Sequence, residues 1–111
     1  RRTSSSRSER TTAMLNIVNK SPLERDSLAS CLRMAAPGAI LLIEDGVYGA
    51  LHGTAIAAKV RDALGRFRIY ALRPDLEARA VADRVQDGIT VVDYDGFVDL
   101  VAEHHACQSW L

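Results

Sequence analysis

The 111-residue chain contains no run of about 20 apolar residues, the length a helix needs to cross a bilayer, so nothing in it reads as a membrane span. It has only two cysteines, Cys31 and Cys107, far apart and in no C-x-x-C pair, which argues against a disulfide framework or a zinc site. Neither sign of charge is in excess, with 14 Lys and Arg against 14 Asp and Glu. Also missing are the phosphate loop G-x-x-x-x-G-K-[ST], a G-x-G-x-x-G turn after the first strand and a G-x-S-x-G nucleophile elbow. No internal repeat is visible.

Residues 1–13, RRTSSSRSERTTA, hold no large apolar side chain, while Met14 opens an apolar strand. They lack the apolar core of a secretory signal and the amphipathic pattern of a transit peptide. They read as a disordered tail or a non-native extension, with a basic arm touching nucleic acid or a partner as the alternative. Without their four Arg and one Glu the body keeps ten basic against thirteen acidic residues. That balance speaks against a duplex-binding face, since phosphate neutralisation needs clustered Lys and Arg. The body, 14–111, is expected to be one soluble, cytoplasmic domain with a single core.

The most informative stretch is Ala39-Ile40-Leu41-Leu42-Ile43, apolar at every position between Pro37-Gly38 and Glu44-Asp45-Gly46. Lack of alternation marks a strand covered on both faces, the habit of parallel sheets. Leu15–Val18, Phe67–Leu72 and Ile89–Asp93 read as further strands. Between them, Ser21-Pro22-Leu23-Glu24 forms a capping box that predicts a helix from Pro22 to Met34. A second helix is expected from Gly53-Thr54 to Leu64, ended by Gly65, and a short third one capped by Asp75. A last helix, capped by Asp93 or Asp95, should turn Phe97, Val98, Leu100 and Val101 inward. Strand and helix alternate throughout, so the expected architecture is a small α/β sandwich on a mainly parallel sheet.

Cys31 is the one plausible nucleophile in the body. It shares a helical face with Leu28, Leu32 and Ala35, and the spacing sets it at the edge of the buried arc, with Ser27 and Ser30 able to keep that edge wet. Lys20 or Arg33 nearby would favour the thiolate; simple packing of a small apolar group is the competing reading. Cys107, after His104-His105-Ala106, could be an activated thiol, but a frayed terminus suits it better. Lys20-Ser21 could hold an anion or merely cap a helix, and Glu44 with Asp45 could be a catalytic pair only if buried. The segment Asp45-Gly46 to Tyr48, at the carboxyl end of the central strand, offers polar and aromatic groups without a nucleophile and reads as a contact surface. Trp110-Leu111 is a second candidate for burial against a neighbour.

In order along the chain, Val18-Asn19-Lys20-Ser21-Pro22-Leu23-Glu24-Arg25, Ser30-Cys31-Leu32, Leu42-Ile43-Glu44-Asp45-Gly46-Val47-Tyr48-Gly49-Ala50, Tyr70-Ala71-Leu72-Arg73-Pro74-Asp75-Leu76-Glu77-Ala78-Arg79, Val91-Val92-Asp93-Tyr94-Asp95-Gly96-Phe97-Val98-Asp99-Leu100 and Gln108-Ser109-Trp110-Leu111 resemble the DsrH/TusB family. The resemblance runs from Met14 to the end. It implies a DsrE-like three-layer sandwich and a cytoplasmic heterohexamer with DsrE/TusD-like and DsrF/TusC-like subunits, relaying sulfane sulfur as cysteine persulfide. A carrier protein of DsrC/TusE type would belong to the same relay, and no metal or organic cofactor is implied. Cys31 matches the first-helix cysteine of DsrH-type chains, which points to intracellular sulfur oxidation with Cys31 as persulfide carrier. The alternatives are a TusB-type subunit serving 2-thiolation of the tRNA wobble uridine, or a non-catalytic assembly scaffold.

Overall fold

The computed structural model describes residues 14–104 and 106–110. The tail reading, His105 and Leu111 lie outside the described residues. Five strands form one sheet, β1 (Leu15–Val18), β2 (Gly38–Leu42), β3 (Phe67–Leu72), β4 (Thr90–Val92) and β5 (Cys107–Trp110), in the order β4-β3-β2-β1-β5. Every pairing is parallel. Among the described residues four α-helices connect them: α1 (Ser27–Met34), α2 (Ala57–Ala63), α3 (Arg73–Ala78) and α4 (Tyr94–Glu103). A seven-residue 3-10 helix, Glu44–Ala50, follows β2 directly.

β2 takes the middle of the sheet, as its unbroken apolar run requires, and Ala39 to Leu42 are all buried. Its two faces meet different layers. Ile40 and Leu42, with Val18, Ile69 and Ala71, lie in one core with Leu28, Cys31 and Leu32 of α1, Val60 and Ala63 of α2, Leu76 of α3 and Val47 and Ala50 of the 3-10 helix. Leu15, Ala39 and Leu41 form the other core with Leu100 of α4, and Ile17, Ile43, Tyr70, Val92 and Phe97 are only partly buried around it. The molecule is thus the expected three-layer sandwich, with unequal outer layers: one face carries three helices and the 3-10 helix, the other a single helix.

Three local readings change. Ser21 does not cap the first helix, whose N-cap residue is Asp26: its Oγ accepts from the Leu23 N–H at 3.1 Å and its carbonyl from Glu24 and Arg25 N–H, each at 3.0 Å. Those bonds close an isolated turn, and α1 begins only at Ser27. Asp93 caps α4, with Oδ1 accepting from Gly96 N–H at 3.0 Å. Yet only the Phe97–Leu100 row faces the sheet; Val98 and Val101 are 64% and 41% exposed, turned outward by the helical repeat. The terminus after α4 does not fray. It becomes β5, in parallel register with β1 from Leu15↔Cys107 to Val18↔Trp110.

β5 is held by more than its ladder. Asn16, 2% exposed, donates through Nδ2 to the Ala39 carbonyl of β2 at 3.2 Å and accepts through Oδ1 from the Trp110 indole N–H at 3.0 Å. One buried amide thereby joins three adjacent strands. Replacing it, Asn16→Ala, removes the side-chain bond to the Ala39 carbonyl, leaves the indole N–H unpaired and should cost about 1–3 kcal/mol in urea denaturation. Hydrogen exchange should show the loss concentrated in β5 and β1; a variant with unchanged stability and unchanged β5 protection would show that the amide is not the fastening.

Candidate functional site

The carboxyl ends of β1 and β2 come together through a close backbone approach. Ile43 N–H donates to the Val18 carbonyl at 3.0 Å, and Gly46 N–H donates to Ile43 at 2.8 Å. A Cβ on Gly46 would stand 2.1 Å from the Val18 oxygen, and one on Gly49 would stand 2.4 Å from Leu28 Cδ2. Glycine is required at position 46, where the obstacle is backbone, so that the 3-10 helix can lie on β1; at position 49 the Leu28 side chain would have to shift. Gly46, placed by sequence on a contact surface, is accordingly buried against its own chain.

Glu44, the first residue of this helix, holds φ at +50°, a conformation uncommon outside glycine. Its N–H donates to Asp75 Oδ2 at 2.6 Å. Asp75 therefore sits inside the first turn of α3, with Leu72 as the N-cap residue, and serves a neighbouring segment instead of capping its own helix. Arg79, at the end of α3, donates through Nε at 3.0 Å and Nη2 at 2.9 Å to Asp45 Oδ1, and through Nη1 to the Asp75 carbonyl at 3.1 Å. Asn19 Nδ2 donates to Glu44 Oε1 at 3.2 Å. Glu44 and Asp45 are both exposed and engaged separately, which removes the geometry of a buried acid pair. Tyr48 is half-buried against the larger core and Trp110 is half-buried at the end of β5.

Cys31 lies in that larger core with none of its surface exposed. The expected wet edge is absent: Ser27 is itself buried, and its Oγ has no hydrogen-bond partner among the described residues. Burial pushes the Cys31 thiol from the ordinary 9.0 up to about 12, and no neighbouring charge counters it. Arg33 is exposed and Lys20 half-exposed, so neither acts as the thiolate-stabilising group the sequence suggested. With such a pKa about one thiol in 10⁵ is ionised at pH 7. Helical spacing put Cys31 at the margin of the apolar stripe; the tertiary core gathered around the helix, which spacing does not show, places it fully inside.

Cys107 is the exposed thiol, on β5. His104, beside it in sequence, directs Nδ1 to the Leu100 carbonyl at 2.7 Å, closing the end of α4. No group of three or more His, Cys, Asp or Glu among the described residues is placed to hold a metal ion. No described helix is long and apolar enough to cross a membrane. The Asp45–Arg79–Asp75 linkage, spanning 34 positions, escaped the sequence reading; only the run Arg73 to Arg79 hinted at it.

Residues 20–107 match the family described as DsrH like protein. The chain is similar to Protein TusB of Photorhabdus laumondii, 34% identical over 97 residues, and of Serratia proteamaculans, 38% identical over 98 residues. Protein TusB of Pectobacterium atrosepticum is 36% identical over 98 residues. Each alignment covers 87% of this chain and 100% of the relative. Among solved structures, the ychN protein of E. coli superposes with a TM-score of 0.73 at 15% identity, over 87% of this chain and 98% of that one. A protein of unknown function from Methanobacterium thermoautotrophicum, MTH1491, gives 0.66 at 17% identity, over 84% and 96%. At those identities the two structures speak for the fold alone.

Two expectations follow from this geometry. Gly46→Ala should lower stability by about 1–3 kcal/mol through overpacking against the Val18 carbonyl. Gly65→Ala, whose new Cβ would meet nothing closer than 3.8 Å, is the matched control, and equal effects would refute the close-approach argument. Maleimide at pH 7 should label Cys107 and spare Cys31 until denaturant is added. The raised thiol also sets a pH dependence: the unfolded chain ionises Cys31 from pH 9.0 upward while the folded chain holds the proton to about 12. Stability is therefore full below pH 9 and lost between 9 and 12, by up to about 1.4 kcal/mol per pH unit. Subtracting the same curve for Cys31→Ala isolates it; superimposable curves would mean an exposed thiol.

Proposed function

The chain belongs to the DsrH family, and from that premise we propose that it is the TusB-type subunit of a sulfur relay, supporting its partners without carrying sulfur on Cys31. The observation that carries this reading is the sealed Cys31. In persulfide exchange the accepting thiolate attacks the outer sulfur of the donor persulfide, the donor's S–S bond breaks, and the donor leaves as a thiolate. A thiol without exposed surface and with its proton held to about 12 does neither half of that step well. The relay it would serve delivers sulfane sulfur for 2-thiolation of the tRNA wobble uridine, in a cytoplasmic heterohexamer with TusC-like and TusD-like subunits and a TusE-like carrier. The relatives named TusB, matched over their whole length, favour this over a role in sulfur oxidation. Asp45, Gly46, Tyr48 and Trp110 remain the proposed contact residues at the strands' carboxyl ends, Asp45 and Tyr48 supplying surface and Gly46 the backbone shape beneath them.

The presence of Cys31 in α1 supports the second reading, a DsrH-type carrier whose thiol is uncovered within the complex. One experiment separates them. The chain is expressed with its partner subunits in a bacterium lacking its own TusB, and tRNA 2-thiouridine is measured. Wild type and Cys31→Ala should restore it equally, and in a Cys107→Ser background the intact mass of this subunit should not rise by about 32 Da, the mass of one sulfur, when the complex meets a persulfide donor. Loss of thiolation in the Ala variant together with that mass gain would establish the carrier reading instead.

A further inference from the structure

The outer side of α4 is an unfinished surface. Tyr94, Val98 and Val101 are 59%, 64% and 41% exposed, and Phe97, Val98, Val101 and Ala102 line an apolar groove of about 270 Å³. Parallel sheets are normally covered on both faces, yet among the described residues this helix alone covers its side, leaving Ile17, Ile43 and Tyr70 half-buried. A contiguous apolar patch beside a part-covered sheet marks a place where another protein sits.

The flank of the same helix says what kind. Asp95 and Asp99 stand one turn apart, both exposed, a like-charge i,i+4 pair that weakens a helix. No Lys or Arg occurs between Tyr94 and Glu103, so nothing on α4 answers them. A second copy docking through the same helix would bring another acidic flank with no base of its own. We infer that α4 docks a non-identical subunit through an apolar face bordered by Lys or Arg side chains, the apolar groove receiving its side chains and Asp95 and Asp99 its cations. Such a rim fixes register and speeds encounter, while the apolar centre holds the complex. This inference rests on the proposed reading of the chain as a subunit of a hetero-oligomer, and it names the surface used.

The test titrates the purified chain against its two partner subunits and follows binding by fluorescence anisotropy, with circular dichroism melting to confirm that each variant folds. Val98→Asp should weaken binding by about tenfold or more, and the double change Asp95→Lys with Asp99→Lys should weaken it and flatten its dependence on KCl. Leu23→Asp, at an exposed apolar residue off this helix, should bind as wild type. If wild type and every variant bind alike, this surface is wrong while the subunit reading stands. If wild type binds neither partner, the subunit reading fails and the inference with it. If sedimentation shows the chain alone dimerising and Val98→Asp abolishing the dimer, the occupant is a second copy and the heterologous partner is refuted.

Discussion

Everything in this molecule depends on the parallel pairing of β2 with β1 and β3 at the centre of the sheet. Parallel neighbours cannot be joined by a tight turn, so each pairing obliges the chain to leave the sheet, cross a face and return. The crossovers after β1, β2 and β3 contribute α1, α2 and α3 to one core, and only the connection from β4 to β5 contributes to the other. The imbalance of the two faces is therefore a consequence of topology. Three connections run on one side, and the single long return from one sheet edge to the other must cover the opposite side alone.

The same pairing explains the polar chemistry at the strand ends. With β1 and β2 in register, the chain leaving β2 meets the Val18 carbonyl at once, and only glycine at position 46 lets it turn there. The turn forces Glu44 into a left-handed conformation and frees its N–H from the ladder. Asp75 accepts that N–H, Arg79 fastens Asp45, and α3 is thereby tied to the 3-10 helix. The acids at the strand end thus help to hold the 3-10 helix against α3 and β1.

How much of this could be read beforehand follows from which forces act locally. β1 to β4 were legible because burial writes itself as apolar runs, and Asp93 because a cap acts within four residues. β5 was not, because Cys-Gln-Ser-Trp carries little apolar signal; it is recruited by backbone bonds to β1 and by an indole bond to Asn16, 94 positions earlier. The capping pattern at Ser21 misled, because the same local bonds that would start a helix close a separate turn there, and the helix begins only after Asp26. For Cys31 the stripe was visible and the cover over it was not. The site's ion pair joins residues 34 positions apart, beyond the reach of any pattern.

Position across the sheet also constrains what Cys31 can do in an assembly. Uncovering it means lifting α1 from the sheet, which exposes Leu28 and Leu32 along with it. At about 1.5–3 kcal/mol for each buried leucine, that opening costs roughly 3–6 kcal/mol, leaving one molecule in roughly 10² to 10⁴ open at a time. A partner could shift that population only by binding the open form better than the closed one. The unfinished apolar surface lies on α4, with the whole sheet between it and α1, so a subunit seated there gains nothing from the opening. Sulfur passing through such an assembly would find its low-energy route on thiols other than Cys31.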